Sequence, residues 1–326
     1  MQSITLYIRF GNAETHFFLF IIYYLLSIIY YLLSIIYYLL SILRGCVMRN
    51  ALMLGTFDGV HIGHKRVLQI EGDYKRIAVT FAKSPKAVIS GKEEALTEFT
   101  DKCRMLKEVG IDEVHPLDFS VVRNIRAEDF LDYLYKEYAP SLISCGFNYR
   151  FGKNGEGDNN LLADFCEKNG IELRCVPPVM LGDEVVSSTL IRNLLREGEI
   201  EKANNLLFEP FSFKAVVRYG EQRGRTIGFP TINQEYPKGL VKIKFGVYAV
   251  RVTVDGKEYM GLADIGHRPT YPTDEVISET FIKDFSGDLY NKELKITPVR
   301  FLREEIKFNS LEELKNQITE DLNKLK

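Results

Sequence analysis

The sequence lacks several features that would point to particular classes of protein. Its five cysteines form no C-x-x-C pair and no framework typical of secreted proteins, so we expect reduced, mostly buried thiols and a cytoplasmic protein. The formal net charge is only −2, which gives no electrostatic reason to expect nucleic-acid binding. The dinucleotide fingerprint G-x-G-x-x-G is also absent, so a redox enzyme on a nucleotide-binding fold is not expected.

Charge is also missing from residues 17–43. Residues 21–41 repeat one heptapeptide, Ile-Ile-Tyr-Tyr-Leu-Leu-Ser, three times without a change. A run of this length can span a bilayer as a helix, and the arginines that follow it favour a cytoplasmic C-terminal part. Perfect repetition is also typical of a translated tandem DNA repeat, and Met48 would then be the true start. We prefer this second interpretation, and we expect a membrane contact only if residues 17–43 are truly translated.

The rest of the chain has the composition of an ordinary globular protein, and a length of 326 residues predicts two domains. Between Ala51 and Asn205, apolar β-branched runs alternate with amphipathic helices, which predicts a doubly wound, Rossmann-like parallel sheet. After Asn205, short strands separated by turns predict an antiparallel barrel with a C-terminal helix that begins at a capping box, Ser310. Apart from the repeat in residues 1–47, the predicted domains are therefore residues 48–205 and 206–326.

The most informative stretch, residues 54–64, joins the first strand to a helix expected over residues 65–71. It contains three glycines and the pair His61 and His64. A Gly-rich turn that enters a helix gathers backbone N–H groups and the positive end of the helix dipole at one point, which favours a phosphate. The two imidazoles add donors that can neutralise charge on a phosphate during its transfer.

Other segments of the first domain place polar groups after a strand or at a helix start. Residues 146–152 follow a short strand, where open α/β sheets bind ligands, and include Asn148 and Arg150. The amide of Asn148 suits a ligand or the backbone, and the guanidinium of Arg150 suits a phosphate. Residues 186–192 begin a helix with Ser-Ser-Thr, for which capping is the simplest role.

In the second domain, residues 223–233 combine glycines with Pro230. The glycines let the backbone approach a ligand closely, and the proline sets Thr231 and Asn233 on the same side of an extended segment. Their hydroxyl and amide oxygens suit Mg²⁺, which prefers oxygen ligands.

Over residues 48–326 these motifs resemble the bacterial bifunctional riboflavin kinase/FMN adenylyltransferase family, also called FAD synthetase. The pattern Gly-x-Phe-Asp-Gly-x-His-x-Gly-His and the later Ser-Ser-Thr-Leu-Ile-Arg are similar to the two nucleotidyltransferase signatures. The segment from Arg223 to Asn233 is similar to the riboflavin kinase motif, with Ile227 where the family has leucine. The resemblance implies ATP, riboflavin and FMN as substrates, FAD as a product and Mg²⁺ as cofactor, and it leaves the oligomeric state open.

Residue roles follow from the same resemblance. Glu279 would be the catalytic base of the kinase, with Thr231 and Asn233 holding the metal. His61 and His64 would be catalytic in adenylyl transfer, where cationic groups including Arg192 stabilise the phosphates. Asn148 and Arg150 would bind the flavin nucleotide. The residues assigned to nucleotide binding are Gly55, Phe57, Asp58, Gly59, Gly63, Ser187, Ser188, Thr189, Arg192, Gly224, Arg225 and Gly228.

One segment departs from the family pattern. After the second strand the family usually carries Phe-Asp-Pro-His-Pro, whereas this chain has Ala82 at the acidic position and Ser84 at the histidine. This departure leaves an alternative, a riboflavin kinase with an impaired adenylyltransferase domain. A second alternative is a membrane-tethered flavin-binding or regulatory protein in which the N-terminal helix is real.

Overall fold

The computed structural model describes residues 24–34, 49–220, 223–267 and 275–325. Residues 24–34 form a helix, α1, with exposed side chains. They belong to a unit, residues 1–49, that is separate from the unit formed by residues 50–326. Within the described part of the chain, no helix combines the length and the apolar character needed to cross a membrane. The remainder of the predicted span and the alternative start at Met48 lie outside the described residues.

The first half of the larger unit is built on a five-stranded sheet in the order β3-β2-β1-β4-β5. β1 pairs with β4, β2 with β3 and β4 with β5, all in parallel, so the predicted doubly wound sheet is confirmed. The apolar run from Ala51 to Leu54 is buried in the central strand because helices cover both sides of such a sheet. The strands are β1 (Arg49–Leu54), β2 (Tyr74–Phe81), β3 (Glu113–Leu117), β4 (Pro140–Gly146) and β5 (Glu172–Val176).

Helices connect these strands, and two apolar clusters fill the layers beside the sheet. The first helix after β1 starts earlier than predicted, because His61 is its N-cap and the helix begins at Ile62. A short hairpin, β6 (Met180–Leu181) and β7 (Glu184–Val185), precedes the last two helices. The helices are α2 (Ile62–Leu68), α3 (Pro85–Ser90), α4 (Phe99–Glu108), α5 (Phe119–Val122), α6 (Ala127–Tyr138), α7 (Asn159–Asn169), α8 (Ser188–Glu197) and α9 (Ile200–Leu206), with a 3₁₀ turn at Lys153–Gly155.

The second half is a closed barrel with strand order β10-β11-β12-β9-β8-β13, in which each strand pairs antiparallel with its neighbours. The predicted antiparallel barrel is therefore confirmed. A short helix, α10 (Arg223–Thr226), lies between the first two strands along the chain. The strands are β8 (Phe213–Arg218), β9 (Thr231–Glu235), β10 (Gly246–Val254), β11 (Lys257–His267), β12 (Val276–Ile282) and β13 (Glu293–Arg303).

The two halves share one apolar core. Buried leucines and isoleucines of α8 and α9 form a single cluster with the barrel interior. Backbone hydrogen bonds also cross between the halves, from Ala95 N to Gly239 O at 2.8 Å and from Lys244 N to Leu195 O at 3.0 Å. The sheet and the barrel are thus packed against each other by buried apolar surface.

The C-terminal helix α11 (Leu311–Asn323) begins at the predicted cap, with Ser310 Oγ accepting from Glu313 N at 3.2 Å. Its fully buried residue is Asp321, which Arg303 Nε meets at 2.8 Å, whereas Leu311 is exposed. A buried ion pair therefore anchors this helix to the barrel.

Candidate active sites

The first site is a cavity of about 330 Å³ at the carboxyl ends of β1 and β4. These neighbouring strands lie where the strand order reverses, because β2 and β3 lie beyond β1 whereas β5 lies beyond β4. In open α/β sheets the crevice at this reversal is the usual ligand site. Nine of the predicted site residues line the cavity: Gly55, Phe57, His61, Gly63, His64, Asn148, Arg150, Ser187 and Ser188.

The two histidines stack on each other in the cavity wall. Their rings stack with centroids 3.6 Å apart, and Nδ1 of His61 accepts from the backbone N–H of His64 at 3.3 Å. A Cβ on Gly63 would lie only 3.1 Å from the His61 ring, so the intervening glycine leaves room for this stack. Nδ1 of His64 is buried and lacks a hydrogen-bond partner among the described residues. A buried polar atom left unsatisfied at a cavity is unusual and suits a site that receives a polar ligand.

Burial keeps both imidazoles neutral near pH 7. Loss of water around His61, together with the smaller effect of the Arg192 charge, lowers its pKa to about 4. Burial also lowers the pKa of His64, with smaller effects from His61 and Lys102. In the free protein the two imidazoles therefore offer neutral N–H donors, and their catalytic role stays a prediction. The fixed positive potential comes instead from backbone N–H groups and from neighbouring cations.

The Ser-Ser-Thr segment, at the start of α8, contributes Ser187 and Ser188 to the same cavity lining as the histidines. Ser187 is the N-cap and its Oγ accepts from Leu190 N at 3.2 Å. Ser188 Oγ donates to the carbonyl of Asp58 at 2.9 Å, which ties the helix start to the Gly-rich turn. Thr189, the third residue of the segment, is exposed. The tertiary structure thus joins both phosphate motifs around one cavity, with the N-terminus of α8 beside it.

Asp58 and Arg192 lie behind the cavity wall instead of on it. Arg192 Nη2 is paired with Asp58 Oδ2, and its Nε donates to the carbonyl of Glu94 at 2.6 Å. Asp58 Oδ1 in turn accepts from Leu96 N at 2.9 Å. Burial raises the pKa of Asp58, and the guanidinium opposes that shift. In this arrangement the pair supports the turn, and their assignment to nucleotide binding stays a prediction. Gly59 also lies off the lining, with a positive φ of 79° against Leu96.

The segment that departs from the family pattern has a local structural role. Ser84 is the N-cap of α3, and its Oγ accepts from Ala87 N at 3.1 Å. Pro85, the next residue, occupies the first turn of α3 and lines the cavity together with Phe81. A hydroxyl is the kind of group that an N-cap requires, so serine stabilises the turn here.

Asn148 and Arg150 line the cavity from the loop after β4. Arg150 is largely exposed, and its guanidinium lies 3.7 Å from the Asp158 carboxylate. Such an exposed ion pair is weak, so the side chain remains available to an anionic ligand.

The second site is a cavity of about 710 Å³ beside the barrel. Thr231 and Arg225 line it, as do two aromatic residues, Tyr219 and Tyr290. The tyrosine rings stack with centroids 3.9 Å apart, and Arg225 Nη2 donates to Tyr290 Oη at 3.2 Å. An exposed aromatic stack offers a face to a planar ring. Sequence reasoning missed this pair, because the two tyrosines are far apart in the chain.

Strand pairing brings the three predicted kinase residues together. Asn233 on β9 is paired with Glu279 on β12, and Thr231 lies two residues before Asn233 on the same face of β9. Glu279 is exposed, and Asn233 is 7% exposed. Glu279 and Asn233 stand beside the cavity lining, on which only Thr231 of the three lies.

Two glycines between β8 and β9 let the backbone pack closely against neighbouring groups near Asn233 and Thr231. A Cβ on Gly220 would lie 2.4 Å from Asn233 Nδ2, and one on Gly224 would lie 2.2 Å from the carbonyl oxygen of Phe229. Gly228 has a φ of 88°, a region that side chains disfavour. Glycine is therefore required for this close backbone approach, while nucleotide binding by Gly224, Arg225 and Gly228 stays a prediction.

Asp264 is a further acidic residue at this site that sequence reasoning missed. It is the β11 partner of Glu279, so both carboxylates share one face of the sheet. Asp264 keeps part of its surface exposed, yet loss of water around the carboxyl, together with the charges of Glu305 and Glu279, raises its pKa to about 6 against the opposing charge of Arg303. Only the pairing register of β11 and β12 shows that Asp264 lies beside Glu279.

Comparisons with known proteins agree with this architecture. The FAD synthetase family matches residues 44–190, and the riboflavin kinase family matches residues 207–326. The bifunctional riboflavin kinase/FMN adenylyltransferase of Listeria monocytogenes is 35% identical, covering 84% of this chain and 90% of the relative. Relatives of the same description from Bacillus subtilis and Escherichia coli K12 are 32% and 34% identical, each covered over 90% of its length.

A solved structure also matches, with a TM-score of 0.78, 28% identity and coverage of 84% of this chain and 93% of its own. It is described as a macrolide-efflux protein from Streptococcus pneumoniae. The fold and the two sites define a two-domain transferase, with a nucleotidyltransferase-type sheet followed by a riboflavin kinase-type barrel. The chain belongs to the bifunctional riboflavin kinase/FMN adenylyltransferase family.

Proposed function

We propose that this protein phosphorylates riboflavin to FMN and then adenylylates FMN to FAD, using one ATP in each step. The observation that supports this most is the presence of two separate sites in one chain, each built from the motif that its reaction needs. We assign residues 48–205 to adenylyl transfer and residues 206–326 to phosphorylation. Because both reactions consume ATP, we place the protein in the cytoplasm.

Phosphorylation requires activation of a poor nucleophile. The ribityl hydroxyl attacks the γ-phosphorus of ATP, a new O–P bond forms, and the bond to ADP breaks. Glu279 accepts the hydroxyl proton, since its carboxylate stands on the open face of the barrel beside Asn233. The oxygens of Thr231 and Asn233 are a donor set that fits Mg²⁺, and these two residues would hold it. The bound ion supplies neutralisation of phosphate charge.

Adenylyl transfer requires positioning more than base catalysis. An oxygen of the FMN phosphate attacks the α-phosphorus of ATP, and pyrophosphate leaves as the bond between the α- and β-phosphates breaks. The second pKa of a phosphate monoester is about 6, so the nucleophile is already ionised near neutral pH. His61 and His64 donate N–H groups, and the start of α8 adds its dipole, to the charge that develops on the leaving group.

The experiment is a time course with the purified full-length chain, riboflavin, ATP and Mg²⁺, in which flavins are separated by chromatography. We expect FMN first and FAD later. His64→Ala should lower FAD formation at least a hundredfold and leave FMN formation unchanged, because general acid–base and donor groups contribute about 10²–10⁴ in rate. Glu279→Ala should abolish FMN formation and leave FAD formation from supplied FMN intact.

Each result distinguishes one assignment. Accumulation of FMN without FAD in the wild type would support the kinase alone and implicate Ser84. Loss of both activities in folded His64→Ala protein would contradict separate sites. Neither product from folded wild type would refute the proposal.

A further inference from the structure

A buried lysine lies beneath the adenylyltransferase cavity. Lys102 is on α4, whose buried face consists of Lys102, Met105 and Leu106, and its side chain is 6% exposed. Lysine is almost never this buried unless its charge is compensated, because removing an ammonium from water costs several kcal/mol. A lysine at a helix position where apolar residues are normally buried therefore indicates a specific role for Lys102.

The contacts of Lys102 lead to the turn after β1 and to the end of β2, which both contribute residues to the cavity wall. Its Nζ donates to the carbonyl of Phe81 at 2.6 Å, to the carbonyl of Thr56 at 3.1 Å, and to Thr80 Oγ1 at 3.5 Å. Thr80 Oγ1 itself donates to the Thr56 carbonyl at 2.9 Å. Each of the three ammonium protons thus has an acceptor, and both carbonyls belong to residues that line the cavity.

We infer that Lys102 is a positioning residue for adenylyl transfer, a conclusion that rests on the proposed function. Its ammonium ties the turn after β1 to the end of β2, and so holds the turn that presents His61 and His64 at the distance the phosphates require. Carbonyl groups at the ends of two parallel strands point their negative ends together, and a cation between them removes that repulsion. The Phe99 ring, 5.3 Å from Nζ, closes the other side of the site.

The charge of Lys102 also acts on the turn and helix that carry the two histidines. Lys102 acts electrostatically on both Asp58 and His64. It supplies part of the positive potential that the neutral histidines lack. A fixed charge held in a buried site is more effective than an exposed one, because it needs no reorganisation during the reaction.

The test compares both activities in the full-length protein. Lys102→Met should lower kcat for FAD formation from FMN at least tenfold, with less than a threefold change in KM for FMN and less than a twofold change in riboflavin phosphorylation. Lys102→Arg, which keeps charge and donors, should be at least threefold faster than Lys102→Met. Lys107→Met is the matched control on the same helix, since Lys107 is exposed, and it should behave as the wild type.

The outcomes separate this inference from the proposed function. If the wild type forms no FAD, the proposed function fails. If the wild type forms FAD and Lys102→Met does so within twofold, the inference fails. A proportional loss of both activities in Lys102→Met, without rescue in Lys102→Arg, would indicate a purely structural lysine and also overturn it. Should Lys102→Met not fold, Lys102→Gln decides the question by the same tenfold and twofold limits.

Discussion

Acidification should destabilise the fold through the buried His61. An unfolded histidine has a pKa of about 6.5, whereas burial lowers that of His61 to about 4. Between these values the unfolded chain binds a proton on His61 that the folded chain does not bind. The free energy of unfolding therefore falls as the pH drops through this window, and it is fully retained above about pH 7.

The size of this effect follows from the two pKa values. Over the whole window the loss approaches about 3 kcal/mol, and about 2 kcal/mol of it is lost by about pH 5. His64 acts in the same direction, since burial lowers its pKa as well. The raised pKa of Asp58 acts in the opposite direction at lower pH, because the folded state then binds the extra proton.

A variant that keeps the cap but removes the titration isolates the contribution of His61. His61 caps α2 through its side chain, and asparagine is a strong N-cap, so His61→Asn retains an acceptor at that position. Urea titrations of both proteins at pH 7.5 and pH 5, followed by circular dichroism, should show a pH-dependent loss that is smaller in the variant by about 2 kcal/mol. Equal losses in the two proteins would refute the argument that His61 is buried as the neutral imidazole.

Two substitutions, one near each site, test residues that hold the site residues in place. Asp58→Ala leaves the guanidinium of Arg192 buried without its carboxylate, so the free energy of unfolding should fall by about 3–5 kcal/mol in a urea titration, and by less in Asp58→Asn. A stability equal to that of the wild type would contradict a structural role for the pair. Gly220→Ala places a Cβ against the amide of Asn233, so phosphorylation of riboflavin should fall at least tenfold while FAD formation from supplied FMN stays unchanged. Unchanged FMN formation would show that Asn233 tolerates displacement.

The local elements of the fold were predictable from the sequence because their causes are local. Apolar runs became the strands of a parallel sheet, and the cap predicted at Ser310 begins α11, Leu311–Asn323. Local sequence does not identify the N-cap of a helix where several capping residues lie close together. Thr97 and Thr100 are both of a residue type that caps helices, yet the N-cap of α4 is Glu98, with no capping hydrogen bond from its own side chain.

Some contacts of the site residues follow from local sequence, and others depend on the tertiary structure. The stacking of His61 on His64 follows from their spacing around Gly63, and the cap at Ser187 follows from its place before a helix. In contrast, nothing in the sequence around Asp58 indicates that it pairs with Arg192, 134 residues away. Contacts of that kind depend on how helices and strands pack, which local patterns do not encode.

The sequence by itself determined the class of fold, the order of the two domains and the residue types of both sites, because strand and helix periodicity, turn chemistry and motif spacing are properties of short segments. Only the tertiary structure decided which of those residues meet. Sheet order placed the ends of β1 and β4 together around one cavity, and barrel register set Asn233, Glu279 and Asp264 in one row. Packing buried Lys102 beneath that cavity and made the histidines neutral, since both outcomes depend on the exclusion of water by residues distant in the chain.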